Sequence, residues 1–203
     1  MISIACVVEG HGEVEALPVL LRRIAGEHGT AIQVRKPHRV PRSKPWDEWA
    51  RAIALQQSAL GEDDGAVVVL LDSDDDDPEV IEAEIRSATV ARSGRDDSIV
   101  CIAVREYEAW FLAAIDSLTT HALVKDDASY SADPEDIRNA KGALDALMTT
   151  SYSEILHQPK FSAVMNLDTA RERSVSFRRF CDQLTLVFST LSLIHISEPT
   201  RPY

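Results

Sequence analysis

Carboxylates follow two apolar runs of the sequence, and their spacing is that of a metal site. The first run, Ile2–Val8, continues into EGHGE (residues 9–13), and the second, at residues 66–71, continues into DSD (residues 72–74). If the two run ends lie side by side, four like charges converge and raise one another's pKa. A hard divalent cation, which prefers oxygen ligands, relieves this repulsion. The pattern therefore predicts a magnesium-type site formed by Glu9, Glu13, Asp72 and Asp74.

The residues around these carboxylates suggest how they are presented. Gly10 and Gly12 would permit a tight turn close to a ligand. Glu13 begins a predicted helix, where the helix dipole also favours a carboxylate, so a purely structural role stays open. Asp72 and Asp74 alternate along an extended segment and would point the same way. The acids at residues 75–77 are typical of a solvated turn and of the charged N-terminus of a helix.

The elements that must position these residues alternate along the chain. Apolar runs predict strands at residues 2–8, 31–40, 66–71 and 98–104, and amphipathic stretches predict helices at 13–25, 45–60, 78–88 and 107–115. This order predicts an α/β fold with a Rossmann-like central parallel sheet flanked by helices. Ligands of such sheets bind beyond the carboxyl ends of the strands, where both acidic motifs fall.

The pattern changes after residue 118 to helices and loops. A helix is predicted over residues 133–148, with Asp133 as N-cap and Pro134 in its first turn, and another over 176–188, with Ser176 as N-cap. We therefore expect an α/β domain at 1–118 and a C-terminal helical extension packed on it at 119–190. Residues 191–203 resemble a translated sequencing adapter, which predicts an adapter-derived tail and a truncated natural C-terminus; a natural strand with a polar end is the alternative.

Composition limits the possible partners and the compartment. The formal net charge of -12 argues against indiscriminate binding of polyanions. A local basic stripe could still hold a phosphate backbone with Trp46 stacked on a base, although a solvated loop fits equally; the stripe consists of Arg35, Lys36, Arg39, Arg42 and Lys44. Three isolated cysteines are typical of buried thiols in a reducing cytoplasm. No apolar run reaches the roughly 20 residues that span a bilayer.

The order of the acidic motifs resembles a known family. A Glu-Gly after the first strand and an Asp-x-Asp after the third are similar to the Toprim domain of topoisomerases, primases and overcoming-lysogenization-defect (OLD) nucleases. Glu13 matches the second glutamate of the OLD type. The chain more specifically resembles, over residues 2–185, the uncharacterised bacterial Toprim-like family DUF4276. That resemblance rests on REYEAWFL (residues 105–112), Lys141, Tyr152 and SFRRF (residues 176–180).

The resemblance implies a Mg²⁺- or Mn²⁺-dependent nuclease or related phosphoryl-transfer enzyme. It implies DNA or RNA as partner and, by similarity to OLD systems, an ATPase partner in bacterial anti-phage defence. Glu9 would act as ligand or general base and Lys141 would neutralise phosphate charge. Glu108 would join the metal ligands, with Glu106 as the alternate, so the implied metal set is Glu9, Glu13, Asp72, Asp74 and Glu108.

Two other functions stay open at this point. One is a degenerate Toprim module that binds nucleic acid or a partner ATPase without catalysis. The other is an aspartyl-phosphate phosphohydrolase, because an Asp-x-Asp motif also ends a strand in those enzymes. They carry that motif on the first strand, whereas this chain carries it on the third predicted strand.

Overall fold

A parallel sheet forms the centre of the protein. The computed structural model describes residues 1–61, 65–95 and 97–197, without the side chains of 192–197. Within these ranges the sheet has five strands in the order β2-β1-β4-β5, and β3 also pairs with β1. The strands are β1 (Ile2–Val8), β2 (Ile32–Val34), β3 (His38–Arg39), β4 (Gly65–Asp72) and β5 (Ile99–Ala103).

Helices cover both faces of this sheet and continue into the C-terminal part of the chain. They are α1 (His11–Glu27), α2 (Trp46–Leu60), α3 (Pro78–Ser93), α4 (Glu108–Ala113), α5 (Ile115–Leu118), α6 (Ala140–Ala146), α7 (Glu154–Val164), α8 (Leu167–Arg173) and α9 (Val175–Ser197). The predicted α/β class with a parallel sheet and a C-terminal helix is therefore confirmed.

Burial of the strands on both faces explains their nearly continuous apolar sequences. On one face Ile4, Cys6 and Val8 pack into a core shared with α1, α4 and α9. On the opposite face Ala5 and Val7 pack against α2 and α3. The three cysteines are free and buried, as their isolated spacing predicted.

The predicted strand at residues 31–40 is divided into β2 and β3. Both pieces pair in parallel with β1, through Ile4 with Val34 and through Val8 with Arg39. Pro37 lies between them, and proline has no N–H to continue a ladder of hydrogen bonds.

The predicted start of the helix at residue 133 is wrong. Asp133 accepts a hydrogen bond from the backbone N of Glu135 at 2.9 Å and so caps a turn, not a helix. The helix begins at Ala140, where the side chain of Asn139 accepts from the backbone N of Gly142 at 2.8 Å. Competing local hydrogen bonds of this kind are what Asp and Asn side chains offer.

The last helix also starts earlier than predicted and is capped differently. Ser174 Oγ accepts from the backbone N of Phe177 at 3.0 Å, so Ser174 and not Ser176 is the cap. The backbone of α9 runs to Ser197, past the predicted boundary at residue 190, and residues 198–203 of the predicted tail lie outside the described residues.

The extension contains two further helices, α7 and α8, that the sequence pattern did not predict. α7 packs along α1, and α9 packs against β5. Among the described residues no helix is long and apolar enough to cross a membrane.

Candidate functional site

Three neighbouring strands each deliver a carboxylate to the same edge of the sheet. Glu9 follows β1, Asp72 ends β4, and Glu108 opens α4 just beyond β5. β1 pairs with β4, and β4 pairs with β5, so the carboxyl ends of these strands are adjacent. Glu13 joins them from the first turn of α1. We call Glu9, Glu13, Asp72 and Glu108 the carboxylate cluster.

Backbone N–H groups fix two members of the cluster. The backbone N of Asp72 donates to Glu9 Oε2 at 3.3 Å, which ties the end of β4 to the end of β1. The backbone N of Tyr107 donates to Asp72 Oδ1 at 2.9 Å, which ties the start of α4 to the end of β4. These two bonds therefore link the ends of β1 and β4 and the start of α4 through Glu9 and Asp72.

Glu13 serves both the helix and the cluster. Its Oε2 accepts from the backbone N of Gly10 at 2.5 Å, so it caps α1 as well as facing Glu9. Gly10 and Gly12, which both precede Glu13, leave space for neighbouring side chains, in contrast to the expected tight turn. Gly10 has an ordinary φ of −94°, but a Cβ there would lie 2.8 Å from Glu13 Oε1. Gly12 lies inside α1, where a Cβ would overlap Gln158 Oε1 on α7.

Glu108 is fully buried and held by one of its oxygens. Tyr152 Oη donates to Glu108 Oε1 at 2.7 Å, and Gln158 Nε2 donates to the same oxygen at 2.9 Å. Glu108 Oε2 is buried without a hydrogen-bond partner in the described part of the chain. An unpaired buried carboxylate oxygen costs free energy unless a ligand or a proton satisfies it.

Burial and mutual repulsion favour the protonated forms of the cluster. Burial, followed by the charges of Glu9 and Glu108, raises the pKa of Glu13 to about 7, even though the Gly10 N–H acts in the opposite direction. Burial, followed by the charges of Glu13, Glu108 and Glu9, raises the pKa of Asp72 well above its usual range. Burial is also the main reason why the pKa values of Glu9 and Glu108 are raised.

Lys141 is a cation whose charge reaches three members of the cluster, and the charge of Arg42 also acts on Glu9. It forms an ion pair with Glu154 on α7, and its charge lowers the pKa of Glu9, Asp72 and Glu108. Burial acts to lower the pKa of Lys141 itself, but the bond to Glu154 and the charge of Glu108 outweigh burial and raise it. Lys141 therefore lies beside the carboxylate cluster, and its action on a phosphate stays a prediction.

Glu106, the alternate to Glu108, has a different task. Its Oε2 accepts from the backbone N of Lys141 at 2.7 Å, so it anchors the start of α6. Glu108, with its burial and its position in the cluster, is therefore the stronger candidate for a site residue.

Asp74 does not continue the strand as expected. Its φ of 49° is left-handed, its backbone N donates to the carbonyl of Arg105 at 2.9 Å, and its side chain is exposed. The predicted alternation with Asp72 is therefore wrong, because a left-handed residue breaks the period of an extended chain. The charge of Asp74 still raises the pKa of Glu9, which places it at the exposed rim of the cluster.

The acids that follow form a turn in which each side chain has a partner, and we call Asp75, Asp76 and Asp77 the acidic turn. Arg105 and Arg138 both pair with Asp75, and Arg42 pairs with Asp76 at 2.6 Å. Asp77 caps α3 by accepting from the backbone N of Glu79 at 2.8 Å. Their predicted role as turn and helix-terminal charges is confirmed.

The predicted basic stripe is dispersed. Arg35 donates to the carbonyl of Ala59 at 2.7 Å, and Arg42 lies over the ring of Trp46 at 4.8 Å besides pairing with Asp76. The indole N–H of Trp46 donates to Glu84 Oε2 at 2.5 Å, so this ring is already engaged. Lys36 is exposed. Arg39 and Lys44 are the two members of the stripe that line one cavity.

Sequence reasoning missed Gln158 and Glu154 and assigned no role to Tyr152. All three lie in or next to α7. A proline inside this helix, Pro159, is not typical of helical sequences, so the pattern did not predict a helix there. A cavity of about 540 Å³ opens beside Lys141, Tyr152 and Glu154. The cluster therefore has an adjoining space that a ligand could enter.

The carboxylates of the cluster are suitable ligands for a hard cation, but their side chains do not form a coordination geometry in this structure. Across residues 1–61, 65–95 and 97–197, no group of three or more His, Cys, Asp or Glu is disposed to hold a metal ion. The donors are nonetheless all carboxylate oxygens, which Mg²⁺ prefers. Glu108 Oε2 is buried and lacks a hydrogen-bond partner among the described residues.

Fold and site together define a parallel α/β protein with a carboxylate cluster at the carboxyl edge of its sheet. The family described as "Domain of unknown function (DUF4276)" matches residues 8–185, and the chain belongs to this family. The matched range includes the whole cluster, Lys141, Tyr152 and Gln158. No curated protein and no solved structure matches the chain.

Proposed function

We propose that the chain is a Toprim-like, Mg²⁺- or Mn²⁺-dependent nuclease or a related phosphoryl-transfer enzyme. One observation carries the proposal: three adjacent strands and α1 place four carboxylates in one cluster, in which Glu13 and Glu108 are buried. Glu108 Oε2 there has no hydrogen-bond partner among the described residues. Buried charges are retained in proteins when they are paired or coordinate a metal.

The residues have distinct roles in this proposal. Glu9, Glu13, Asp72 and Glu108 would hold the cation, with Asp74 available at the rim. A bound divalent cation supplies charge stabilisation to a phosphoryl group and lowers the pKa of a bound water. Tyr152 and Gln158 hold Glu108 Oε1 and leave Oε2 free.

Two half-buried residues at the cluster would act on the substrate. Glu9 uses Oε2 to accept from Asp72, so its Oε1 is available to accept a proton as general base. Lys141 borders the cavity of about 540 Å³ and would balance charge that develops on a phosphate there. Nucleic acid as substrate, an ATPase partner, a role in anti-phage defence and a cytoplasmic location belong to the same proposal and rest on the Toprim resemblance.

A binding module without catalysis is the second candidate. The absence of a ready-made ligand arrangement within the described residues favours it, because a degenerate site would keep the fold and lose the geometry. A phosphohydrolase is less favoured, since Asp72 Oδ1 accepts from Tyr107 and Asp74 lies in an exposed turn.

The test is a cleavage assay with a matched pair of variants. Purified protein is incubated with supercoiled plasmid and with single-stranded DNA or RNA, in Mg²⁺, Mn²⁺ or EDTA. Asp72→Asn removes a charge from the cluster, and Asp76→Asn removes the same charge from the acidic turn.

Metal-dependent cleavage that Asp72→Asn lowers by about 100-fold or more, and that Asp76→Asn leaves intact, supports the nuclease. Metal binding without turnover favours the binding module. Release of phosphate from small phosphomonoesters, without cleavage of nucleic acid, favours the phosphohydrolase.

A further inference from the structure

A second cavity, separate from the carboxylate cluster, carries positive charge. It measures about 310 Å³ and lies between β3 and α2. Arg39, Lys44 and Arg51 line it together with His38, and Glu48 is the carboxylate among its lining residues. Three permanent cations against one carboxylate make this cavity positive on a chain whose formal net charge is -12.

Two of these cations are uncompensated. The side chains of Lys44 and Arg51 are exposed and form no ion pair or hydrogen bond with any described residue, whereas the nearby Arg42 pairs with Asp76 and Arg92 pairs with Asp47. Both side chains are therefore available to an anion in the cavity.

The cavity adjoins the cluster through Arg39. This residue is in register with Val8 at the end of β1, and its Nη1 donates to the carbonyl oxygen of Glu9 at 3.1 Å. That bond fixes the guanidinium beside Glu9, and its remaining N–H groups form no hydrogen bond within the described residues. Buried Val40 and Ala52 also line the cavity, and apolar walls of low dielectric strengthen the field of nearby charges.

We propose that this cavity binds a phosphate group, in a site distinct from the carboxylate cluster. A guanidinium offers paired N–H donors that match phosphate oxygens, and an ammonium adds a mobile point charge. The cavity supplies Arg39, held by its bond to Glu9, together with the free Lys44 and Arg51. The proposal of an anion site is argued from this cavity alone. The further idea that the cavity holds a substrate of the carboxylate cluster rests on the proposed function.

The experiment measures binding in EDTA, so that no metal chemistry contributes. A labelled single-stranded oligonucleotide is titrated by fluorescence anisotropy between about 50 and about 200 mM salt. Inorganic phosphate and AMP are titrated separately by calorimetry. The proteins are wild type, Lys44→Gln, Arg51→Gln and the double variant, with Lys160→Gln as control because Lys160 is an exposed lysine on α7 outside this cavity.

Each cavity substitution is expected to weaken binding by roughly tenfold, the size of one charge-assisted hydrogen bond. The slope of log affinity against log salt should fall by about 0.7 for each phosphate of a single strand that is no longer neutralised. Lys160→Gln should bind as wild type does. If the double variant loses the oligonucleotide binding that wild type shows, a polynucleotide backbone is the source of the phosphate. If wild type binds only phosphate or AMP, the ligand is a small phosphorylated molecule.

Wild-type affinity for every anion in the double variant, or no binding of any of them by wild type, overturns the proposal. Thermal melting checks that the variants fold, which we expect because both side chains are exposed. Arg51→Lys keeps the charge and should retain most of the affinity. The outcome is separable from the proposed function, because cleavage abolished in Asp72→Asn with unchanged anion binding in the double variant would refute this site alone.

Discussion

The carboxylate cluster and the acidic turn contain the same kind of side chain, and Asp72 of the cluster lies three residues before Asp75 of the turn. Burial, then the neighbouring carboxylates, raises the pKa of Asp72 well above its usual range. A hydrogen bond from Arg138, then the charges of Arg138 and Arg105, lowers the pKa of Asp75. Solvent access and partners, not residue type, therefore separate a candidate site from a solvated loop.

The two groups also differ in what they do for the fold. In the acidic turn Asp77 caps a helix and Asp76 pairs with an arginine, so both stabilise local structure. In the cluster Glu108 and Glu13 are buried next to other carboxylates, with Lys141 as the nearby counter-charge. Such an arrangement lowers the stability of the ligand-free protein, and this difference can be tested from both sides.

The largest expected effect is on metal binding by Glu108→Gln. The variant keeps the shape of the side chain but removes the charge of the buried Oε2, so affinity for Mn²⁺ or Mg²⁺ should fall by about 100-fold or more. Calorimetric titration with Mn²⁺ measures it. Asp76→Asn, which breaks an exposed pair worth about 0–1 kcal/mol, should leave the affinity unchanged. Equal affinity in Glu108→Gln and wild type would place the metal elsewhere.

The next effect is a loss of stability with rising pH in metal-free protein. The pKa of Glu13 is raised to about 7 from 4.5, so the folded chain keeps a proton that the unfolded chain has already released. The stabilisation that comes from this proton is therefore complete below about pH 4.5. It is lost as the pH rises through about 7, and the loss from this group is at most about 3 kcal/mol. Urea unfolding at about pH 5 and pH 8 measures the change.

Glu13→Gln provides the matching control for this pH dependence. Its amide oxygen can still accept from Gly10, but it has no charge to develop, so the dependence should become shallower. Saturating Mg²⁺ should also reduce the dependence in wild type, because the cation stabilises the ionised cluster. An unchanged pH dependence in Glu13→Gln would show that other groups cause it.

A pair of glycine substitutions in α1 separates site packing from helix propensity. In Gly12→Ala the new Cβ overlaps Gln158 Oε1 and lies 2.9 Å from the carbonyl of Glu154. Overpacking of this kind costs about 1–3 kcal/mol and would displace the donor that holds Glu108. Gly26→Ala meets no atom within 4 Å and should stabilise by roughly 0.5–1 kcal/mol. Thermal melting compares the two, and a similar response in both would contradict the close approach of α7.

The smallest effect is expected in the acidic turn. Asp77→Ala removes the cap of α3 and should cost about 1 kcal/mol in unfolding free energy, measured in urea. Asp77→Asn, whose amide oxygen caps equally well, should cost little. Metal affinity should be the same in both variants. A weaker metal affinity in Asp77→Ala would extend the cluster into the turn.

The sequence was enough to predict the fold and three members of the cluster, Glu9, Glu13 and Asp72. The fold and these three positions all follow from local patterns of apolar and acidic residues. Apolar runs that end in Glu9 and Asp72 fix where the carboxyl ends of strands lie, and the parallel order brings those ends together. Glu108 came from resemblance and proved to be buried at the same edge. The left-handed φ of Asp74 could not be predicted from the sequence. The turn depends on a hydrogen bond to the backbone of Arg105, and the alternation of residue types contains no sign of that contact.

The residues that support the cluster were harder to predict than its carboxylates. Gln158 reaches Glu108 from a helix whose sequence contains Pro159, so no periodic pattern marked it. Asp133 and Asn139 both have capping side chains, and only the packed structure decides which one starts the helix. Arg51 joins Arg39 and Lys44 through the packing of α2 on the sheet, which a linear stripe of charges does not include.

Each of three adjacent strands is followed by, or ends in, one carboxylate of the cluster, and this arrangement has a consequence for folding. Glu9, Asp72 and Glu108 are separated by about 100 residues of chain, and their side chains meet only after β1, β4 and β5 have paired in register. A partly folded chain lacks this meeting point, so a bound cation would stabilise the completed sheet and no earlier intermediate. Metal affinity during refolding would then report the moment at which the last of the three strands docks.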